Sequence, residues 1–140
     1  MAGTTNPPIE TQFRTIDGLR IRMAESEPRD VDGLLLSPWP ESLLAFEQMW
    51  APLAKQAHLV AVDLPGYGHS ESRPEVLEPR AMGEFIVKLA DALDLERPHA
   101  VGPDIGTAAL LFAAADNPDR FRSLVIGSGS VSVPLQVGAE

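Results

Sequence analysis

His99-Ala100-Val101-Gly102-Pro103-Asp104-Ile105-Gly106, followed by Thr107-Ala108-Ala109-Leu110-Leu111-Phe112-Ala113-Ala114-Ala115-Asp116, is the stretch on which the fold turns. It opens with a short, continuous apolar run, the pattern of a strand buried on both faces. Residues 106–116 are apolar nearly all round, and Pro118 stops them. A helix without a polar face is expected at the centre of a domain. A strand that feeds such a helix through a tight, glycine-bounded loop is the building unit of a parallel sheet.

The same alternation extends in both directions. Gly33-Leu34-Leu35-Leu36, Leu59-Val60-Ala61-Val62 and Leu124-Val125-Ile126-Gly127 are further short apolar runs and read as buried strands. Between them, Leu43, Phe46, Trp50 and Leu53 share a helical face, with Pro52 expected to kink or end that helix. Met82, Phe85, Ile86, Leu89 and Leu93 form a second helical stripe. Upstream, Gln12–Ile16 and Leu19–Met23 alternate polar and apolar residues around Asp17-Gly18, a hairpin signal. Residues 1–10 read as a polar tail and residues 25–32 as a charged loop. The prediction is an α/β fold over residues 11–140: a doubly wound, mainly parallel sheet with helices on both faces and an antiparallel N-terminal hairpin at one edge. Ligands of such sheets bind at the carboxyl ends of the strands, in the loops after Leu36, Val62, Val101 and Ile126.

Composition narrows the function. Eleven basic residues against twenty acidic ones, a net charge of −9, argue against nucleic acid as a partner. No apolar run is long enough to span a membrane, and Met1–Pro8 lacks the basic and apolar regions of a secretory signal. The absence of cysteine removes disulfides, thiolate metal sites and a cysteine nucleophile, and fits a cytoplasmic protein. No metal or other cofactor is expected. Gly66-Tyr67-Gly68 lacks the third glycine of a dinucleotide fingerprint.

Gly102 and Gly106 stand two before and two after Asp104. This is the spacing of the nucleophile elbow, G-x-S-x-G, with aspartate in the central place. The turn is expected to be too sharp for a side chain at either glycine and to hold Asp104 in a strained conformation above the sheet. The start of the following helix favours an anion there.

With these residues in view the chain resembles the α/β-hydrolase superfamily. Asp63-Leu64-Pro65-Gly66-Tyr67-Gly68-His69-Ser70 is similar to the D-x-P-G-x-G-x-S loop after that family's fourth strand. Leu36-Ser37-Pro38-Trp39-Pro40 stands in the place of its H-G-x-P oxyanion loop, and Val101–Asp119 resembles its elbow, helix and NP-x-R segment. Aspartate at the elbow points to the branch of epoxide hydrolases and haloalkane dehalogenases. The resemblance implies that Asp104 attacks an electrophilic carbon of a small hydrophobic substrate, leaving an alkyl-enzyme ester that an activated water hydrolyses. It also implies backbone amides of Ile105 and Trp39 as oxyanion-hole donors. Trp39 and Tyr67 are expected to line the substrate pocket.

There are departures from the pattern. The dehalogenase pattern has tryptophan directly after the nucleophile, where this chain has Ile105, and asparagine where it has Trp39. Epoxide hydrolases have tryptophan at both places, which Trp39 matches and Ile105 does not, so an epoxide hydrolase-like reaction is the first reading and a dehalogenase the second. Ser37-Pro38 replaces His-Gly. Asp104 also admits two plainer readings, a carboxylate capping a helix or a decayed elbow in a silent protein that binds a ligand or partner. His58 and His99 read as structural, His69 as part of a shaping loop, and Asp63 as a turn-stabilising residue. The family's acid, base histidine and cap come later than Ile126. The chain is accordingly read as an N-terminal half, completed by its own C-terminal half or by a second chain. Leu124–Ile126 is then left as an open edge, through which copies of the chain could also associate.

Overall fold

The computed structural model describes residues 8–129. Most of the proposed tail lies outside them, as do residues 130–140. Ile9, inside the stretch read as tail, is buried. The strands are β1 (Gln12–Ile16), β2 (Leu19–Glu25), β3 (Asp32–Leu36), β4 (His58–Val62), β5 (His99–Pro103) and β6 (Ser123–Gly127). The α-helices are α1 (Glu47–Ala54), α2 (Pro79–Ala92) and α3 (Ile105–Asp116), with 3-10 turns at Leu43–Phe46 and Pro74–Val76.

The strands form one sheet in the order β1-β2-β4-β3-β5-β6. β1 and β2 are the antiparallel hairpin, and β2 joins β4 antiparallel. All pairings from β4 to β6 are parallel. Asp17 and Gly18 both have positive φ, 48° and 79°, as the two-residue hairpin turn demands. The predicted architecture is therefore the observed one.

Alternation along β3 and β4 sends apolar side chains to both faces. Leu34, Leu36, Val60 and Val62 pack with Met82, Phe85, Ile86 and Leu89 of α2 and with Ala109, Leu110 and Ala113 of α3. Leu35, Leu59 and Ala61 pack on the other face with Ile9, Leu43 and Phe46, and Trp50 and Ala54 of α1 close over them. Three details differ from the sequence reading. Pro52 lies inside α1, which continues to Ala54, and Leu53 is exposed. Leu93 is only partly buried, at the end of α2. α3 is buried along one face only, because α2 and the sheet cover that face while Leu111 and Phe112 stay partly exposed. Arg80 lies over the Phe112 ring at 4.6 Å from its centroid and shields part of it. Among the described residues β6 is an edge strand, with Val125 and Ile126 exposed. No helix among them is long and apolar enough to cross a membrane.

After β3 the chain moves to one side of that strand to form β4, and then to its other side to form β5. The crevice at the carboxyl ends of β3 and β5 is thus the point where the strand order reverses, the ordinary place for a ligand in such a sheet. The loops after Leu36 and Pro103 open onto it.

Two polar clusters brace the frame. His58, at the amino end of β4, bonds Asp32 through Nδ1 and Glu25 through Nε2, both at 2.8 Å. Partial burial disfavours its charged form, but the hydrogen bonds and negative charges of Asp32 and Glu25 outweigh that and raise its pKa above the ordinary 6.5. At the other end of β4, the fully buried Asp63 carboxylate is enclosed by the loop that follows it. A Cβ at Gly68, where φ is +53°, would lie 2.1 Å from Asp63 Oδ2.

Gly68→Ala is expected to destabilise the fold by about 3 kcal/mol, from left-handed strain and overpacking together. Gly127→Ala, where an added Cβ meets nothing within 4 Å, should change stability by about 0.5 kcal/mol or less. Urea unfolding midpoints check both. Because the pKa of His58 is raised on folding, the stabilisation it contributes is full below pH 6.5 and is lost as pH rises through the higher folded value. His58→Gln should therefore cost more stability at pH 5.5 than at pH 8.5. An equal cost at both would remove the charged His58 from the account.

Candidate functional site

Asp104 sits between β5 and α3 with φ 57° and ψ −115°. A non-glycine residue in that region carries roughly 1–3 kcal/mol of strain and persists only where its surroundings impose it. Several contacts impose it here. The Asp104 N–H donates to the Gly127 carbonyl of β6 at 2.8 Å, and the Thr107 N–H to the Asp104 carbonyl at 3.0 Å. The buried Thr107 hydroxyl lies 2.9 Å from the Gly102 carbonyl and 3.0 Å from that of Gly127, and it accepts from the Gly127 N–H at 3.1 Å. Its single proton serves one carbonyl at a time, so the elbow and the end of β6 are tied through one side chain. Thr107 escaped sequence reasoning because it reads as one more residue of an apolar helix.

The two elbow glycines are not equivalent. A Cβ at Gly102 would lie 2.5 Å from Leu110 Cδ1 and 2.9 Å from the Gly106 carbonyl, so a side chain there is excluded. At Gly106 the nearest atom would be Leu36 Cβ at 3.5 Å, an ordinary contact. The expectation that both positions are too tight therefore holds for Gly102 and not for Gly106, where a methyl would make ordinary contact with Leu36 of β3.

The Asp104 carboxylate does not cap α3. Instead Oδ2 accepts the backbone N–H of Trp39 at 2.9 Å, from the loop after β3. The helix-capping reading thus gives way to a carboxylate turned out toward the crevice. A cavity of about 450 Å³ opens there, lined by Tyr67, Leu77, Met82, Asp104, Ile105 and Ala108 among others. The structure therefore brings Asp104, Ile105 and Tyr67 to one cavity. Trp39 contributes its backbone, while its side chain is 62% exposed and stands outside the lining. Leu77 and Met82 come from the segment entering α2 and from its first turns. Nothing in their sequence spacing distinguishes them from core residues.

The remaining sequence candidates lie elsewhere. His58 and His99 begin β4 and β5, at the ends of those strands away from the crevice. His99 bonds Ser123 through Nδ1 at 2.6 Å. The His69 side chain is exposed, and its backbone N–H donates to Asp63 at 2.9 Å. Asp63 takes no part in the cavity. It accepts from Arg22 Nε at 2.7 Å and from the Leu43 N–H at 2.7 Å, in addition to His69. Its role in holding its own loop is thus wider than a turn residue needs. Ser37, the departure from the expected histidine, is fully buried, and its Oγ accepts the Leu64 N–H at 3.0 Å.

Comparison with known proteins bears on the fold. A family model described as the alpha/beta hydrolase fold matches residues 34–138. Over 127 residues the chain is 29% identical to the dihydrolipoyllysine-residue acetyltransferase component of the acetoin cleaving system of Cupriavidus necator, covering 91% of this chain and 34% of that protein. It is 32% identical over 115 residues to a haloalkane dehalogenase of Psychrobacter cryohalolentis, covering 79% of this chain and 38% of the other. The solved structure of the epoxide hydrolase CorEH without ligand superposes with a TM-score of 0.82 at 25% identity, over 94% of this chain and 46% of that one. The chain spans less than half the length of each of these proteins. From the strand order and the strained elbow to the family model matched from β3 onward, the findings agree that this chain belongs to the α/β-hydrolase-fold family.

Proposed function

We propose that this chain carries the nucleophile of a hydrolase that works through an alkyl-enzyme ester, in the manner of an epoxide hydrolase, with Asp104 as the attacking carboxylate. The observation that carries the reading is the contact between Asp104 Oδ2 and the Trp39 N–H at the crevice, with a largely apolar cavity beside it. One carboxylate oxygen is held by a backbone donor, leaving the other for a substrate carbon. Oδ1 donates an electron pair to a ring carbon of the epoxide, the carbon–oxygen bond of the ring breaks, and the leaving alkoxide takes up a proton. Tyr67 lines the same cavity, and its phenol is the group we assign to that proton.

Water, giving a proton to a base, then attacks the ester carbonyl. The bond from the carbonyl carbon to the former Oδ1 breaks, that oxygen takes the proton and leaves in the diol, and the Asp104 carboxylate is restored with one oxygen from water. The ester carbonyl oxygen is the former Oδ2. The negative charge that develops there faces the Trp39 N–H, with the Ile105 N–H as the second donor of the hole. Preorganised donors of this kind commonly contribute 10²–10³-fold each. No histidine lines the cavity among the described residues. The base that activates the water is assigned to the length of the protein that its relatives have and this chain does not span, or to a second chain.

A haloalkane substrate would share the first step, and a dehalogenase is among the relatives. A departing halide needs N–H donors on the cavity wall. Ile105 has no side-chain donor, and the Trp39 indole belongs to a side chain outside the lining. The epoxide therefore fits this cavity better, and its class is a small, apolar epoxide.

In the whole protein, brief incubation with such an epoxide should add its mass to the peptide bearing Asp104, read by mass spectrometry. Asp104→Ala should abolish the label. Labelling confined to other carboxylates, or undiminished in Asp104→Ala, would overturn the assignment.

A further inference from the structure

The Trp39 N–H can serve Asp104 only if the loop that carries it is held still. Trp39 lies in the segment 37–42, between β3 and the 3-10 turn that begins at Leu43. Both ends of that segment are fastened to three consecutive residues at the carboxyl end of β4. At the near end the Ser37 N–H donates to the Val62 carbonyl at 3.0 Å, and Ser37 Oγ accepts the Leu64 N–H at 3.0 Å. At the far end the Leu43 N–H donates to Asp63 Oδ1 at 2.7 Å. Between these fastenings Pro38 and Pro40 restrict the backbone further.

Asp63 is in turn fixed. Its Oδ2 receives Arg22 Nε and the His69 N–H, and its side chain is fully buried. Every one of these partners is a donor, so both carboxylate oxygens must act as acceptors. Asparagine has the same shape but would set an NH₂ group against a donor on one side or the other. The buried ion pair with Arg22 adds charge to the bond, and losing one partner of such a pair is costly.

We propose that Asp63 and Ser37 are positioning residues, which hold the two ends of the oxyanion loop and so fix the Trp39 amide on the Asp104 carboxylate. Neither touches the cavity. Arg22 and Gly68 belong to the same device, one by charge and the other by leaving room for the carboxylate. This inference rests on the reading of Asp104 as nucleophile for its catalytic meaning, and on the hydrogen bonds alone for its structural content. If both hold, loosening the loop slows hydrolysis of the alkyl ester more than its formation, because only the first of these steps develops charge on Oδ2.

Amide hydrogen exchange of the ¹⁵N-labelled whole protein, followed by NMR, tests the structural content without any substrate. Asp104→Ala sets the scale, since it removes the acceptor itself. Asp63→Asn should speed exchange of the Trp39 amide about tenfold, the scale of a lost hydrogen bond to a charged group, while the β5 amides keep their rates. Ser37→Ala, which removes one small hydroxyl and should leave the fold intact, is expected to act in the same direction and decides alone if Asp63→Asn does not fold. Selective loss of protection at Trp39 in the folded variants supports the assignment. Unchanged protection at Trp39, or an equal loss at Trp39 and throughout β5, overturns it. A Trp39 amide that responds as expected in a protein whose Asp104 takes no label would keep the positioning device and discard the nucleophile.

Discussion

Asp104 has a backbone conformation that an L-residue avoids, and much of the surrounding structure serves to impose it. Had the residue relaxed into an ordinary N-cap, its carboxylate would have turned back onto the open amides of α3. The left-handed φ prevents that and directs the side chain to the crevice between β3 and β5. The cost is met by the bond from its own N–H to Gly127, by the Thr107 hydroxyl behind it, and by the bare Cα of Gly102. Each of these comes from a different element. The elbow is therefore a property of the assembled β5–α3–β6 layer and not of the loop alone.

Two aspartates sit in contrasting environments on either side of one loop. Asp63 is fully buried and meets three donors, so its oxygens are committed to the frame. Asp104 borders a cavity and meets one backbone donor through Oδ2. The loop holding Trp39 runs between them, bonded to Asp63 at one end and to Asp104 at its middle. The buried carboxylate and the one proposed as nucleophile are thus linked through a few residues of backbone, and a disturbance at the first should reach the second.

Much of this could be read from the chain itself. The strands were visible as apolar runs of four residues, the hairpin as Asp17-Gly18, and the elbow as two glycines around Asp104. These are local signals, and local geometry decides them. What was not visible depends on residues far apart in sequence. Arg22 and Asp63 are separated by 41 positions and Trp39 and Asp104 by 65, and no periodicity reports such pairings. Thr107 was hidden in an apolar helix and Met82 in a core stripe, because a side chain that also serves the elbow or borders the cavity keeps the pattern of a buried helix face. Glycine at 106 suggested tightness that the packing does not require, since the spacing records the motif and not the room around each position.

We propose that the Asp104 carboxylate, and not water, attacks the substrate first. A single turnover of the whole protein in H₂¹⁸O tests it directly, with enzyme in excess over an apolar epoxide. Because water is proposed to attack the ester carbonyl, the first diol should carry ¹⁶O from Asp104, and ¹⁸O should appear in the peptide containing that residue. Label entering the diol in the first turnover, with none in the Asp104 peptide, would contradict the claim.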